Sequence, residues 1–144
     1  MEAVAALASI VQLVDFSGKI LVHGYGFLAQ ISAAPSEIRI LLTEVANVNM
    51  VLDRVRELAN DPNAGHRQMT TDKLVQLGAL DNCRVLLERA QECLEKCKQV
   101  DGQGLANVGR KLKWAFIEKD VKGTIDQLRR LQAQIDQAIN LDSA

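Results

Sequence analysis

Aromatic side chains are scarce in this chain of 144 residues: one Trp, one Tyr and three Phe, or 3% of the total. With almost half the residues apolar, the core has to be assembled from Leu, Val, Ile and Ala. That composition suits helix packed on helix. Proline is nearly absent, and Pro35 and Pro62 both fall where the apolar pattern breaks. The net charge is only −1, with acids and bases interspersed. No concentrated basic surface exists for a polyphosphate backbone, so nucleic acid is not an expected partner. The three cysteines, Cys83, Cys93 and Cys97, lie in one helical stretch and form no spaced framework. Their odd number points to a reducing compartment and to small apolar roles in a core. A basic n-region before the first apolar stretch is missing too, so an ordinary secretory signal is not expected.

Charge is missing where it matters most. From Met1 to Ala34 only Glu2, Asp15 and Lys19 are formally charged, and Ile20 to Ser36 holds none. A surface helix of a soluble bundle keeps a charged face. This one carries Val4, Leu7, Val11 and Val14 on one stripe and Ile10, Leu13, Phe16 and Ile20 on the next. Such a segment is expected deep in its own fold, against a partner, or in lipid. His23 is expected to be a packed, neutral side chain. Asp15 and Lys19 interrupt the apolar run, so no uncharged stretch reaches the length of about 18 residues of an ordinary spanning helix.

The chain divides into helical pieces by period. The first spans about 2–32, with Gly18, Gly24 and Gly26 expected to loosen it. The second, about 36–60, places Ile38, Leu41, Val45, Val48, Leu52 and Val55 on one side and most of its charges on the other. A turn cluster, Asn60-Asp-Pro-Asn-Ala-Gly65, follows. The third, about 70–99, is expected to start on Thr70 or Thr71 as a cap and bears the stripe Leu80, Cys83, Leu87, Ala90, Leu94 and Cys97. A short basic helix at about 109–116 and a longer one at about 118–140 complete the set. No segment alternates as a half-buried strand does. The expected fold is all-α: a single helical bundle of four to five helices over residues 1–144, with a largely buried apolar N-terminal helix.

Catalytic constellations are not evident, and no enzyme activity, cofactor or metal is expected. His23 and His66 have no partner at ligand spacing. Cys93 and Cys97 are one turn apart, but a structural zinc usually needs four ligands. Gly104-Leu-Ala-Asn-Val-Gly109-Arg110-Lys111 approaches a phosphate-binding loop. However, it has Arg at the Lys position and Lys where a hydroxyl must hold magnesium; it reads as a helix-capping loop. The basic run Arg110, Lys111 and Lys113 beside Trp114 is a candidate patch for anionic lipid, where each cation contributes about 1 kcal/mol.

The order of helices, together with Leu112-Lys-Trp114-Ala-Phe116-Ile-Glu-Lys-Asp-Val121 and Glu37-Ile-Arg-Ile-Leu-Leu-Thr-Glu-Val, resembles the HeLo-like N-terminal domain of fungal NLR (STAND) proteins and related cell-death effectors. The likeness spans nearly the whole chain, and its motifs are moderately specific. It implies an effector or signalling domain in fungal programmed cell death or non-self recognition. Such a domain oligomerises on a signal and targets or permeabilises the plasma membrane through its first helix. The implied partners are further copies of the chain, membrane lipids, and a fused or upstream NLR or amyloid signalling region. The implied location is cytoplasmic, with transfer to the plasma membrane on activation. The membrane and oligomer element maps onto Ala3, Val4, Leu7, Ile10, Val11, Val14, Asp15, Gly18, Lys19 and Gly24. The family-motif core maps onto Trp114, Phe116, Val121, Leu128 and Leu131. Small residues Ala3, Ala6, Gly18 and Gly24 are expected to allow helices to approach closely. In the resting domain the other helices are expected to wrap the first one. A protein-binding adaptor bundle without membrane activity is the alternative from a different class.

Overall fold

The computed structural model describes the backbone of residues 2–30, 36–60, 67–102 and 107–143, and side chains over most of these. The fold is all-α: α1 (Glu2–Gln30), α2 (Ser36–Asn60), α3 (Arg67–Gln76), α4 (Ala79–Gly102) and α5 (Asn107–Ser143). No strand occurs among the described residues.

Side-chain contacts give the topology. Gly24 lies against Leu42 and Asn49 reaches Val14, so α1 and α2 run antiparallel. Lys96 meets Asp120 and Arg89 meets Gln127, so α4 and α5 are antiparallel as well. Ile38 packs near Trp114 and Val121, while Glu44 pairs with Arg129; α2 and α5 therefore run parallel. Around the bundle the order is α1, α2, α5, α4. Among the described residues α1 and α5 make no contact. The short α3 touches all four long helices and closes the end where α2 stops and α4 starts.

The core follows the stripes read from the sequence. On α2, Ile38, Leu41, Leu42, Val45, Val48, Leu52 and Val55 are buried. Across from them lie Cys83, Leu86, Leu87, Ala90 and Leu94 of α4, and Val121, Ile125, Leu128, Leu131 and Ile135 of α5. The cysteines are buried free thiols, as expected of small core residues.

Three boundaries differ from the pattern read along the chain. The expected helix over 70–99 is two helices. Gly78 takes a left-handed conformation (φ 65°) and its N–H bonds the carbonyl of Val75, ending α3, while its own carbonyl accepts from Asn82 to begin α4. That is the usual role of glycine at a helix C-terminus. Thr70 and Thr71 consequently lie within α3 rather than capping it. Second, the expected helices 109–116 and 118–140 are one rod, α5, because nothing between Phe116 and Glu118 breaks the backbone ladder. Gly109, Arg110 and Lys111 are thus inside a helix rather than in a capping loop, and Asp101 and Gly102 belong to α4. Third, α1 runs unbroken through Gly18, Gly24 and Gly26. The turn cluster at 61–65 and residues 103–106 lie outside the described residues.

Candidate functional site

The feature that separates α1 from the other helices is that its outer side carries little formal charge. Its inner face is made by Ala6, Ile10, Leu13, Ser17, Ile20, Gly24, Phe27 and Leu28, all buried against α2 and α4. Directly opposite runs a second line at alternating spacings of three and four. It comprises Ala5, Ala8, Gln12, Asp15, Lys19, Val22, Gly26 and Ala29, every one exposed. Val11 and Tyr25 flank that line, each about half exposed, and Val22 is 72% exposed. Ala5–Gln30 is the one stretch among the described residues long and apolar enough to cross a membrane, yet only 28% of its most apolar window is buried. The expectation that the other helices wrap α1 on all sides is therefore corrected: burial is one-sided, because α1 occupies a corner of the bundle and has neighbours on one side only.

The residues assigned to the membrane and oligomer element divide between these faces. Ile10 and Gly24 are buried, while Leu7, Val14 and Gly18 are half-buried. Val11, Asp15 and Lys19 point outward, and Asp15 pairs with Lys19 at 3.1 Å one helical turn away. The side chains of Ala3 and Val4 lie outside the described residues. Gly24 and Ala6 are used inside the molecule; a Cβ on Gly24 would overlap Leu42. The close approach expected between copies at Gly24 is thus made to α2.

A polar clasp sits in the middle of the α1–α2 contact, and pattern reading missed it. Ser17, fully buried, donates to the carbonyl of Val14 at 3.0 Å. Asn49 of α2 donates through Nδ2 to that same carbonyl at 3.0 Å and to Ser17 Oγ at 2.8 Å. The available signal was polar residues at inward positions of two otherwise apolar stripes. A satisfied buried network inside an apolar interface fixes register, because any slide of the helices leaves its members without partners.

At the other end of the bundle, Val121, Leu128 and Leu131 of the family motif are buried and Trp114 packs partly against the core. Phe116 is the exception: it is 82% exposed, beside Leu112 at 62%. Both lie off the stripe Ile117, Val121, Thr124, Ile125 and Leu128 that faces the core, so they point away from the neighbouring helices. The contacts between α4 and α5 also set residue 102 level with roughly residue 114, so α5 starts beyond the end of α4. Lys113 is exposed on the same overhang. The side chains of Arg110 and Lys111 lie outside the described residues.

Elsewhere the chemistry is quiet. His23 is exposed, correcting its expected place in the core: it falls on the outer side of α1. Among the described residues no cluster of three metal-binding side chains occurs. A cleft of about 360 Å³ between α4 and α5 is lined by Arg89, Lys96 and Lys119 but also by Glu92 and Asp120. Its cations are largely engaged, Arg89 by Gln127 at 2.7 Å and Lys96 by Asp120 at 3.5 Å. Burial pushes the thiols of Cys83 and Cys97 up to about 12, and that of Cys93 upward too. They stay protonated and unreactive near neutral pH.

No family model, curated protein or solved structure matches the chain.

Proposed function

We propose that this chain is a HeLo-like effector bundle that acts by clustering and by passing α1 from the bundle into a lipid bilayer. The observation that carries the proposal is the combination of span-length apolar composition with one-sided burial in α1. A central core helix is apolar on all sides because it is covered on all sides. The outer line of α1 is uncovered and yet offers a single ion pair as its formal charge. Four of its eight positions are Ala or Gly and its flank bears Val11 and Tyr25, a surface that suits a second helix or acyl chains. Small exposed residues, Ala5, Ala8, Gly26 and Ala29, would let helices pack closely once in lipid, where dispersion contacts replace the hydrophobic effect. Lys113, Arg110 and Lys111, with exposed Leu112 and Phe116 beside them, would hold the bundle at an anionic surface while the exchange occurs.

Dye release from vesicles of mixed zwitterionic and anionic phospholipid tests the reading. The protein is fused to an inducible clustering module, and α1 is tied to α2 by the double variant Ser17→Cys/Asn49→Cys, whose side chains adjoin. Clustering should release dye when the tie is reduced and fail to do so when it is oxidised. Sealed vesicles under both conditions would remove the membrane role and leave an adaptor bundle that binds other proteins.

A further inference from the structure

The outer line of α1 is complementary to itself, and we infer that α1 docks antiparallel on the α1 of a second copy in the resting protein. This deepens the proposed function by naming what covers the exposed face before activation, but it is decided in solution without lipid. The eight positions from Ala5 to Ala29 repeat at three and four residues, the spacing that keeps one seam of a helix against a partner. They are also symmetric about Ser17. When two such helices are laid antiparallel with the two-fold axis at residue 17, Asp15 of each copy faces Lys19 of the other. Gln12 then falls opposite Val22, Ala8 opposite Gly26, and Ala5 opposite Ala29.

Charge chooses this occupant. The only formal charges on the outer line are Asp15 and Lys19, and they stand on the two sides of the axis. The antiparallel arrangement replaces two exposed intrahelical pairs by a square of alternating charge. A parallel arrangement would set Asp15 beside Asp15 and Lys19 beside Lys19. Gly26 supplies an independent argument. An exposed glycine in mid-helix costs about 1 kcal/mol against alanine, and a Cβ there would meet nothing within the molecule. Against a second copy, the absent side chain permits close approach at Ala8. Val11 and Tyr25, half exposed on one flank, come together across the axis and add apolar contact. The seam is about 36 Å long and one helix wide, which places the dimer among weak, reversible contacts. The interface is isologous and closed, so it stops at two.

Sedimentation velocity of the full chain, from about 1 to 500 µM, should show reversible monomer and dimer with a Kd in the micromolar range. Asp15→Lys or Lys19→Asp alone should weaken the dimer by about tenfold or more, because like charges then face each other. The exchanged variant Asp15→Lys/Lys19→Asp should restore it to within about threefold. Both positions are exposed, so helix content by circular dichroism should not change. Orientation is read by oxidative cross-linking. Ala8→Cys mixed with Gly26→Cys should give a disulfide-linked heterodimer, whereas either alone should give none. A monomer throughout the concentration range overturns the inference, as does failure of the exchanged variant to recover. Cross-linking of Ala8→Cys to itself overturns it by showing a parallel pair. None of these failures touches vesicle leakage, which depends on release of α1 and not on how it is covered at rest.

Discussion

Helices α1 and α2 share an interface and are used in opposite ways. The second carries charge along its whole length, with Glu37, Arg39, Asp53, Arg54, Arg56 and Glu57 among its residues, and still buries nine apolar or acidic side chains completely enough to form the centre of the bundle. The first has hardly any charge and leaves half of its surface to solvent. Hydrophobicity and burial are therefore decoupled between neighbours. In α2 the apolar residues are those that the fold needs. In α1 their number exceeds what the fold uses, and the surplus lies on the surface.

Substitutions on the two helices should reveal this as a difference in cost. Leu52→Ala on α2, at a position with no exposure, is expected to destabilise by about 3 kcal/mol through lost transfer energy and a residual cavity. The shift in denaturant midpoint measures it. The thiols of α4 extend the comparison to pH. A thiol held at about 12 in the fold ionises near 9 once the chain unfolds. Above pH 9 the unfolded state therefore binds fewer protons than the native one. Stability from Cys83 and Cys97 is full below pH 9 and is lost as pH rises toward 12. The loss should be of order 1 kcal/mol per thiol by pH 10. Denaturation at pH 8 and pH 10 should show it, and Cys83→Ala/Cys97→Ala should flatten the difference.

Within α1 the two faces provide a finer contrast. Gly24→Ala forces Leu42 out of its packed position and should cost about 1 kcal/mol after the gain in helix propensity. Gly26→Ala, two residues on, meets open space within the molecule and should stabilise the monomer by up to about 1 kcal/mol. The opposite signs, read by thermal or urea unfolding below the dimer Kd, would establish the sidedness of α1. The smallest effect belongs to Val22→Ser, expected within about 0.5 kcal/mol of the parent. A loss comparable to that of Leu52→Ala would mean that Val22 is not on the surface at all, and the contrast between the helices would collapse.

Most of the architecture was legible because α2, α4 and α5 have one apolar stripe each, and a stripe states which side faces inward. For α1 that logic has nothing to work on. When nearly every position is apolar, period alone does not distinguish the face that is covered from the face that is bare. Sidedness is set instead by isolated residues that the pattern reading passed over or assigned elsewhere: Ser17 and Asn49, which bond each other, and Gly24, which makes room for Leu42. The break at Gly78 was obscured because Leu74 and Leu80 keep the stripe going on both sides of it. Phe116 and His23 were misplaced for a related reason. Phe116 lies off the buried stripe of its own helix, and His23 lies on the side of α1 that no neighbouring helix covers.

One consequence follows from the diagonal placement of α1 and α5. The longest rod in the molecule binds α2 on one flank and α4 on the other without ever relying on α1. Withdrawing α1 would open a trough along the bundle, floored by leucine and valine, while the three remaining long helices stayed joined through that rod. In the proposed mechanism, that trough would be where the α1 of another copy could seat.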